Sequence, residues 1–228
     1  NIFLALIVGL GFGALVGLVN GLLVTKLKLP AFLATLGTME LVRGAAMWIT
    51  DTAAVPIENK LFCNIFGIGE VAGIPVLVIW TVLFYIAGIL IFNKAAFGRH
   101  VLATGGNENS AIYSGINTQK VKIIAFTMSG AFAAFAGIMY AARMQAGRYS
   151  YGDGDEMSVI AAVVLGGTAM SGGTGSVIGA LFGSVLMGMM NNAVILANLS
   201  SAQQTMIKGG IIILAVAISN LSQRKKKN

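Results

Sequence analysis

Glu40 and Arg43 stand three residues apart in an otherwise apolar stretch, a spacing that lets the two side chains meet on one face of a helix. Ionisable groups inside so hydrophobic a run either neutralise each other as a structural pair or line a path for solute or protons. Asn20, Asn191 and Asn192 sit in similar runs. Their amides both donate and accept, which suits a polar solute on a path through the membrane and suits hydrogen bonds between helices equally well. Few other residues have types that do chemistry. One cysteine, Cys63, and one histidine, His100, are too few for a disulfide within the chain or a dedicated metal site. No run ending in Gly-Lys-Ser/Thr is present to cradle a nucleotide's phosphates, and no catalytic set emerges. Met187, Met189 and Met190 suit core filling, and Lys208 reads as an anchor at a membrane interface.

The elements that hold these residues follow from composition. Of 228 residues, 57% are hydrophobic, 10% are charged and 30 are glycine, where an ordinary soluble domain has about 25% charged residues. The charges gather between long uncharged runs, so the runs are the lipid-embedded part. A net charge of +7 does not indicate nucleic acid, because the Lys and Arg lie at the ends of apolar segments and not on one solvated face. The fold class expected is therefore all-α, a polytopic transmembrane helical bundle forming a single transmembrane domain over 1–228.

A helix needs about 20 mainly apolar residues to cross a bilayer. Ile2 to Val24, Val71 to Phe92, Ile123 to Ala142 and Val177 to Ala197 meet this, and Ala31 to Thr50 is a weaker candidate because of Glu40 and Arg43. Thr205 to Leu221 is short but usable. Met157 to Met170 suits either a half-helix or a span extended by its neighbours, and the preferred count takes it as one of seven crossings. Basic residues are retained on the cytoplasmic side. Lys94, Arg99, Lys120 and Lys122 flank one connection, which puts residues 97–122 inside. Lys26, Lys28 and the C-terminal Arg224, Lys225, Lys226 and Lys227 then also fall inside. The outer segments hold Asp51, Glu58, Glu70, Asp153, Asp155 and Glu156. No signal peptide is visible, and the chain opens inside an apolar run without a methionine, which suggests a missing upstream portion.

Two features point to internal organisation. Gly17-Leu18-Val19-Asn20 and Gly188-Met189-Met190-Asn191 echo each other in runs that cross in opposite directions, as inverted repeats of transporters do; chance gives the same pattern in any two glycine-rich spans. Gly9, Gly13 and Gly17, with Gly179, Gly183 and Gly188, recur at near-helical spacing, and their simplest role is close packing of helix backbones. Within the inner loop, Asn107 precedes Glu108-Asn109-Ser110-Ala111-Ile112-Tyr113-Ser114, and Gly115 follows. An Asn N-cap, an acid in the first turn and a Gly past the end describe a helix of about two turns. So short a helix does not hold itself together in water, and Ala111, Ile112 and Tyr113 suggest that it docks against a partner.

At this loop the chain resembles a known family. Gly105-Gly106-Asn107-Glu108 with Ser114-Gly115-Ile116, Ala161 to Thr168, and Gly172-Gly173-Thr174-Gly175 are similar to the ribose and xylose type of ABC sugar-importer permeases. Asn20-Gly21-Leu22-Leu23, Leu29-Pro30-Ala31-Phe32, Thr35-Leu36-Gly37-Thr38, Arg43-Gly44 and Asn191-Asn192 match in the same order, over essentially the whole chain. Members of that family carry further spans upstream with a Gly-Ile-Asp-Leu-Ser motif, which this chain lacks.

The resemblance implies a homodimer or heterodimer of permeases in a bacterial inner membrane, with two cytoplasmic ATP-binding subunits and an extracytoplasmic sugar-binding protein. The permease itself would hold no cofactor, ATP and Mg being bound by the ATPase. Asn107 to Ile116 would be the coupling helix, and transport of a pentose or hexose would proceed by alternating access. The outer segments Asp51 to Glu70 and Arg143 to Glu156 would receive the binding protein, their mixed charges supplying register and steering. Met170 to Gly175 also resembles the signature sequence of ABC ATPases, but without a phosphate-cradling run the glycines 172, 173 and 175 read as a tight inner turn that closes the path. Permeases for nucleosides or branched-chain amino acids share the docking loop and the glycine-rich turn. An ion-coupled carrier would need buried carboxylates, and Glu40 is the one acid inside an expected span.

Overall fold

A computed structural model describes residues 2–197, 200, 202–207, 209–211, 213 and 217. The expected anchor Lys208, the basic tail Arg224 to Lys227 and much of the Thr205 to Leu221 span lie outside the described residues. The chain divides into two compact units, Asn1–Leu83 with Asn117–Gly152, and Phe84–Ile116 with Asp153–Asn228. Four described helical segments are long and apolar enough to cross a membrane: Ile2–Thr25, Val76–Lys94, Thr118–Met144 and Val177–Leu196. Few of their side chains are buried within the chain, and Phe3, Ile7, Phe12, Val82 and Phe182 among them are exposed. Surface of this kind is stable only against lipid or other apolar partners.

In the first unit α1 (Ile2–Thr25) and α7 (Thr118–Met144) form an extensive antiparallel seam. Glycines at every fourth position of α1 make it. A Cβ on Gly13 would meet the Gly130 carbonyl oxygen at 2.5 Å, and one on Gly17 would collide with the Phe126 carbonyl. The backbones are thus nearly in contact, and dispersion over the whole seam replaces the hydrophobic drive that lipid does not supply. The helix α2 (Ala31–Ile49) follows Pro30 and packs on α1. Beyond α2, β1 (Val55–Pro56) and α3 (Lys60–Cys63) lead into a π-helical turn, Asn64–Ile68. That turn lies on α7 and carries Phe66, which stacks on Trp80 at 5.6 Å while Trp80 donates its indole N–H to the Ile65 carbonyl at 2.9 Å. The strands β2 (Glu70–Val71) and β3 (Ile74–Pro75) close a two-residue hairpin over Ala72 and Gly73, both at positive φ, the backbone that such hairpins favour.

In the second unit α4 (Val76–Ile89, beginning in the first unit) continues as a π-helical turn to Lys94 and is followed by α5 (Ala96–Gly106) and α6 (Glu108–Tyr113). After β4 (Ala146–Gly147) of the first unit come α8 (Asp155–Leu165) and α9 (Val177–Leu196). The helix α8 runs antiparallel to α9, with Gly166 against Gly179 and Gly183 against the Ala162 carbonyl. Ala161, Ala162 and Met187 form the buried centre of this pair. Tyr85 and Ser184 share a hydrogen bond of 3.0 Å between α4 and α9.

Of the two forms the sequence allows for Met157 to Met170, a half-helix or a span extended by its neighbours, α8 supplies a short regular helix. Its 11 residues rise about 16 Å, roughly half of a hydrocarbon core of about 30 Å. The helix stops because Gly166 and Gly167 follow, Gly167 at φ +86°, so Met157 to Met170 is a half-helix with an irregular continuation. The glycine prediction is met at Gly179 and Gly183, while a Cβ on Gly188 would meet nothing within 4 Å. The echo between Gly17 and Gly188 therefore does not extend to shared packing.

Candidate functional site

The loop between Lys94 and Thr118 carries α6 as a helix closed at both ends. Asn107 leaves the helical conformation (φ −153°, ψ 105°), and its side-chain oxygen accepts from the Ser110 N–H at 3.0 Å. At the other end Gly115 adopts φ +80°. Its N–H reaches the Ile112 carbonyl at 2.9 Å, and the Ile116 N–H reaches the Ala111 carbonyl at 3.0 Å, the paired closure of a Schellman motif. These closures satisfy end groups that so short a helix would otherwise leave open. Asn117 then caps α7, accepting from the Lys120 N–H at 2.9 Å.

The exposed face of α6 differs in one respect from expectation. Tyr113 is 91% exposed and Ile112 52% exposed, whereas Ala111 is 4% exposed. Ala111 is therefore corrected from a docking residue to the one that seats α6 on its own chain. Glu108 lies in the first turn, where its charge favours the helix N-terminus. Ser114 bonds back to the Ser110 carbonyl at 2.9 Å.

The inner-turn glycines meet this loop directly. A Cβ on Gly105 would stand 2.8 Å from the Gly173 nitrogen, one on Gly172 would stand 2.5 Å from the Gly105 oxygen, and one on Gly173 would stand 2.7 Å from the Gly106 α-carbon. Gly172 and Gly173 both have φ near +85° (85° and 83°). Two glycine pairs thus place the end of α5 and the turn before α9 in backbone contact, and no side chain fits between them. Gly175 packs more loosely, against Thr168 and Phe92. The turn passes to α9 through Ser176, whose hydroxyl accepts from the Gly179 N–H at 3.1 Å.

The two segments expected outside are joined in the first unit at one short bridge. Val55 pairs with Gly147 and Pro56 with Ala146 in an antiparallel bridge, and the Ile57 N–H extends it to the Gln145 carbonyl at 2.9 Å. Sequence alone does not reveal this join, because two-residue strands carry no periodicity.

The intramembrane polar residues separate into distinct settings. Asn20 is 8% exposed, and the Thr38 hydroxyl lies 2.9 Å from its side-chain oxygen. The pair crosses from α1 to α2 beside a cleft of about 340 Å³ that also reaches Thr35 and Ser129. Arg43 donates to Glu40 at 3.2 Å, the contact their spacing allows, and neither lines that cleft. Asn191 and Asn192 lie on α9 in the second unit; among the described residues neither side chain has a hydrogen-bond partner. Thr35, Thr38 and Ser129 escape sequence reading, since a single hydroxyl in an apolar run reveals its neighbours only when helix faces are known. Among the described residues no group of three His, Cys, Asp or Glu is placed to hold a metal ion.

Comparison with known proteins adds the following. A family model described as branched-chain amino acid transport system / permease component matches residues 1–216. The chain is 38% identical to the ribose import permease protein of Escherichia coli K12 over 226 residues, 98% of this chain and 70% of the relative. It is 40% identical to the ribose import permease protein of Haemophilus influenzae over 230 residues, 99% of this chain and 71% of that one. With the L-arabinose transport system permease protein of E. coli K12 it shares 39% identity over 209 residues, 92% of this chain and 63% of the relative. No solved structure matches.

Proposed function

We infer the function from one premise: the chain belongs to the branched-chain amino acid transport system / permease component family, and its relatives over nearly its full length are permeases for ribose and arabinose. It is a multi-pass membrane protein and the membrane-spanning subunit of an ATP-driven importer, with hydrolysis carried out by a separate chain. The solute is a small sugar of the pentose or hexose class, carried inward by alternating access. Three partners complete the transporter: a cytoplasmic ATPase with its bound ATP and Mg, an extracytoplasmic sugar-binding protein, and a second permease, identical or related. The membrane is the bacterial cytoplasmic membrane, with the C-terminus inside. No cofactor belongs to this chain.

The observation that carries the reading is α6. A capped helix of six residues, seated on its own chain through Ala111, presents Ile112 and Tyr113 to solvent and has the form of a plug for a cleft in another protein. The contact of Gly105 and Gly106 with Gly172 and Gly173 gives movement of that plug a direct route to the turn before α9. The paired outer segments offer one joined platform to the binding protein. The Glu40–Arg43 ion pair is consistent with a structural role, which leaves an ion-coupled carrier without a free intramembrane acid in the described spans.

The test is purification of the intact complex in mild detergent, with ATP hydrolysis measured for the parent and for Tyr113→Ala, Ile112→Asp and Gly115→Val. The ATPase should co-purify with the parent, and the substitutions should release or uncouple it. An isolated permease whose transport follows an ion gradient would sink the assignment.

A further inference from the structure

The cleft between α1, α2 and α7 has mainly apolar walls into which four side chains with an amide or a hydroxyl are set. Asn20 and Thr38 meet across it, Thr35 and Ser129 reach it, and Met39 and Phe126 supply apolar wall. The Thr38 hydroxyl has one proton and two oxygens in reach, the Asn20 side chain at 2.9 Å and the Thr35 carbonyl at 3.0 Å. Either orientation of the Asn20 amide leaves at least one of its N–H groups without an acceptor among the described residues. The Ser129 hydroxyl likewise has no described partner. Thr35 uses its proton on the carbonyls of Ala31 and Phe32, at 2.9 and 3.1 Å, and keeps its lone pairs. Unsatisfied donors and acceptors at membrane depth are costly and persist where a solute or water completes them.

We propose that this cleft is a solute-handling site on the translocation path, at which Asn20, Thr35, Thr38 and Ser129 exchange hydrogen bonds with the hydroxyls of an uncharged sugar. The inference rests on the permease reading above and assigns residues to the handling of its solute. Every polar group in the cleft is an amide or a hydroxyl, able to match a sugar hydroxyl as donor or acceptor. No ionisable residue lines it. A zwitterionic amino acid would leave its ammonium and carboxylate without charged partners there, a heavy penalty in a low-dielectric setting. Phe126 is part of the apolar wall, and the volume of about 340 Å³ falls within the roughly 300–1,000 Å³ of small-molecule sites.

The experiment uses the complete importer, permease with its ATPase and binding protein, in proteoliposomes. Initial ATP-dependent uptake of D-ribose, D-xylose, L-arabinose and L-leucine is measured beside ATP hydrolysis for the parent, Thr38→Val, Thr38→Ser and Ser129→Ala. Thr38→Val and Ser129→Ala should each lower sugar uptake about tenfold, the worth of one hydrogen bond, and leave hydrolysis stimulated by the binding protein within about twofold of the parent. Thr38→Ser should restore most of the uptake, since it returns the hydroxyl. Ser129→Cys, in a Cys63→Ala background, should react with N-ethylmaleimide more slowly when sugar is present, a readout that needs no transport. Sugar uptake within about twofold of the parent in both Thr38→Val and Ser129→Ala, or labelling of the cysteine indifferent to sugar, overturns the cleft and leaves the permease reading standing. A parent importer that takes up leucine and none of the sugars overturns the sugar reading itself, and the cleft with it.

Discussion

Gly115 ends α6 in a conformation that costs an L-residue about 1 kcal/mol or more. At φ +80° its N–H and that of Ile116 close the helix, so Gly115→Ala loosens that helix from its C-terminal end. The expected outcome is a stable permease whose ATPase partner elutes at lower salt, read by co-purification over a salt gradient. Gly17 has a different duty, because its missing side chain lets α1 touch α7. Gly17→Val should destabilise the protein by roughly 1–3 kcal/mol or more, as overpacking does, whereas Gly137→Ala, with open space around its Cβ, should be neutral. Thermal unfolding in detergent, followed by size-exclusion recovery, separates the two. Residues of the same type in the same pair of helices thus differ in worth by which face they occupy.

Among elements, the backbone contact between the end of α5 and the turn before α9 makes the sharpest prediction. Gly172→Ala combined with Gly173→Ala places two Cβ atoms against Gly105 and Gly106 at positive φ. Uptake should fall at least about tenfold while ATP hydrolysis continues, since the loop and the turn no longer move together; matched hydrolysis and uptake losses would point to general unfolding instead. The elements themselves were largely readable. Ile2 to Val24 became Ile2–Thr25, Val177 to Ala197 became Val177–Leu196, and the loop helix fell within one residue of its expected end, because length, hydropathy and capping residues are local properties. What stayed hidden was pairwise: the bridge of Val55 to Gly147, the inward seat of Ala111, and the company of Asn20, whose cleft partners come from helices far apart in sequence. The half-helix was half visible, since Gly166 and Gly167 stand in the sequence as its stop signal, but its 11 residues overlap the ambiguous range between a short span and a re-entrant segment.

At the scale of the whole molecule, the assignment of sides is the property most open to test. Cys63, the single cysteine of the chain, is 1% exposed, so added cysteines report with little background. Tyr113→Cys should label with an impermeant maleimide only in inside-out vesicles, and Glu58→Cys only in right-side-out cells; the reverse pattern would invert the proposed orientation. The half-helix α8 carries a consequence for how the polypeptide is made. Its length is too small to partition into lipid alone during synthesis, and among the described residues its apolar side packs on Gly179, Gly183 and Met187 of α9, with Met190 and Ile211 beside them. The expectation is that α8 enters the bilayer together with α9, as a hairpin. Nascent chains stalled just after Leu165 should remain extractable at alkaline pH, while those stalled beyond Leu196 should not, which makes α9 the commitment point for biogenesis of the C-terminal part.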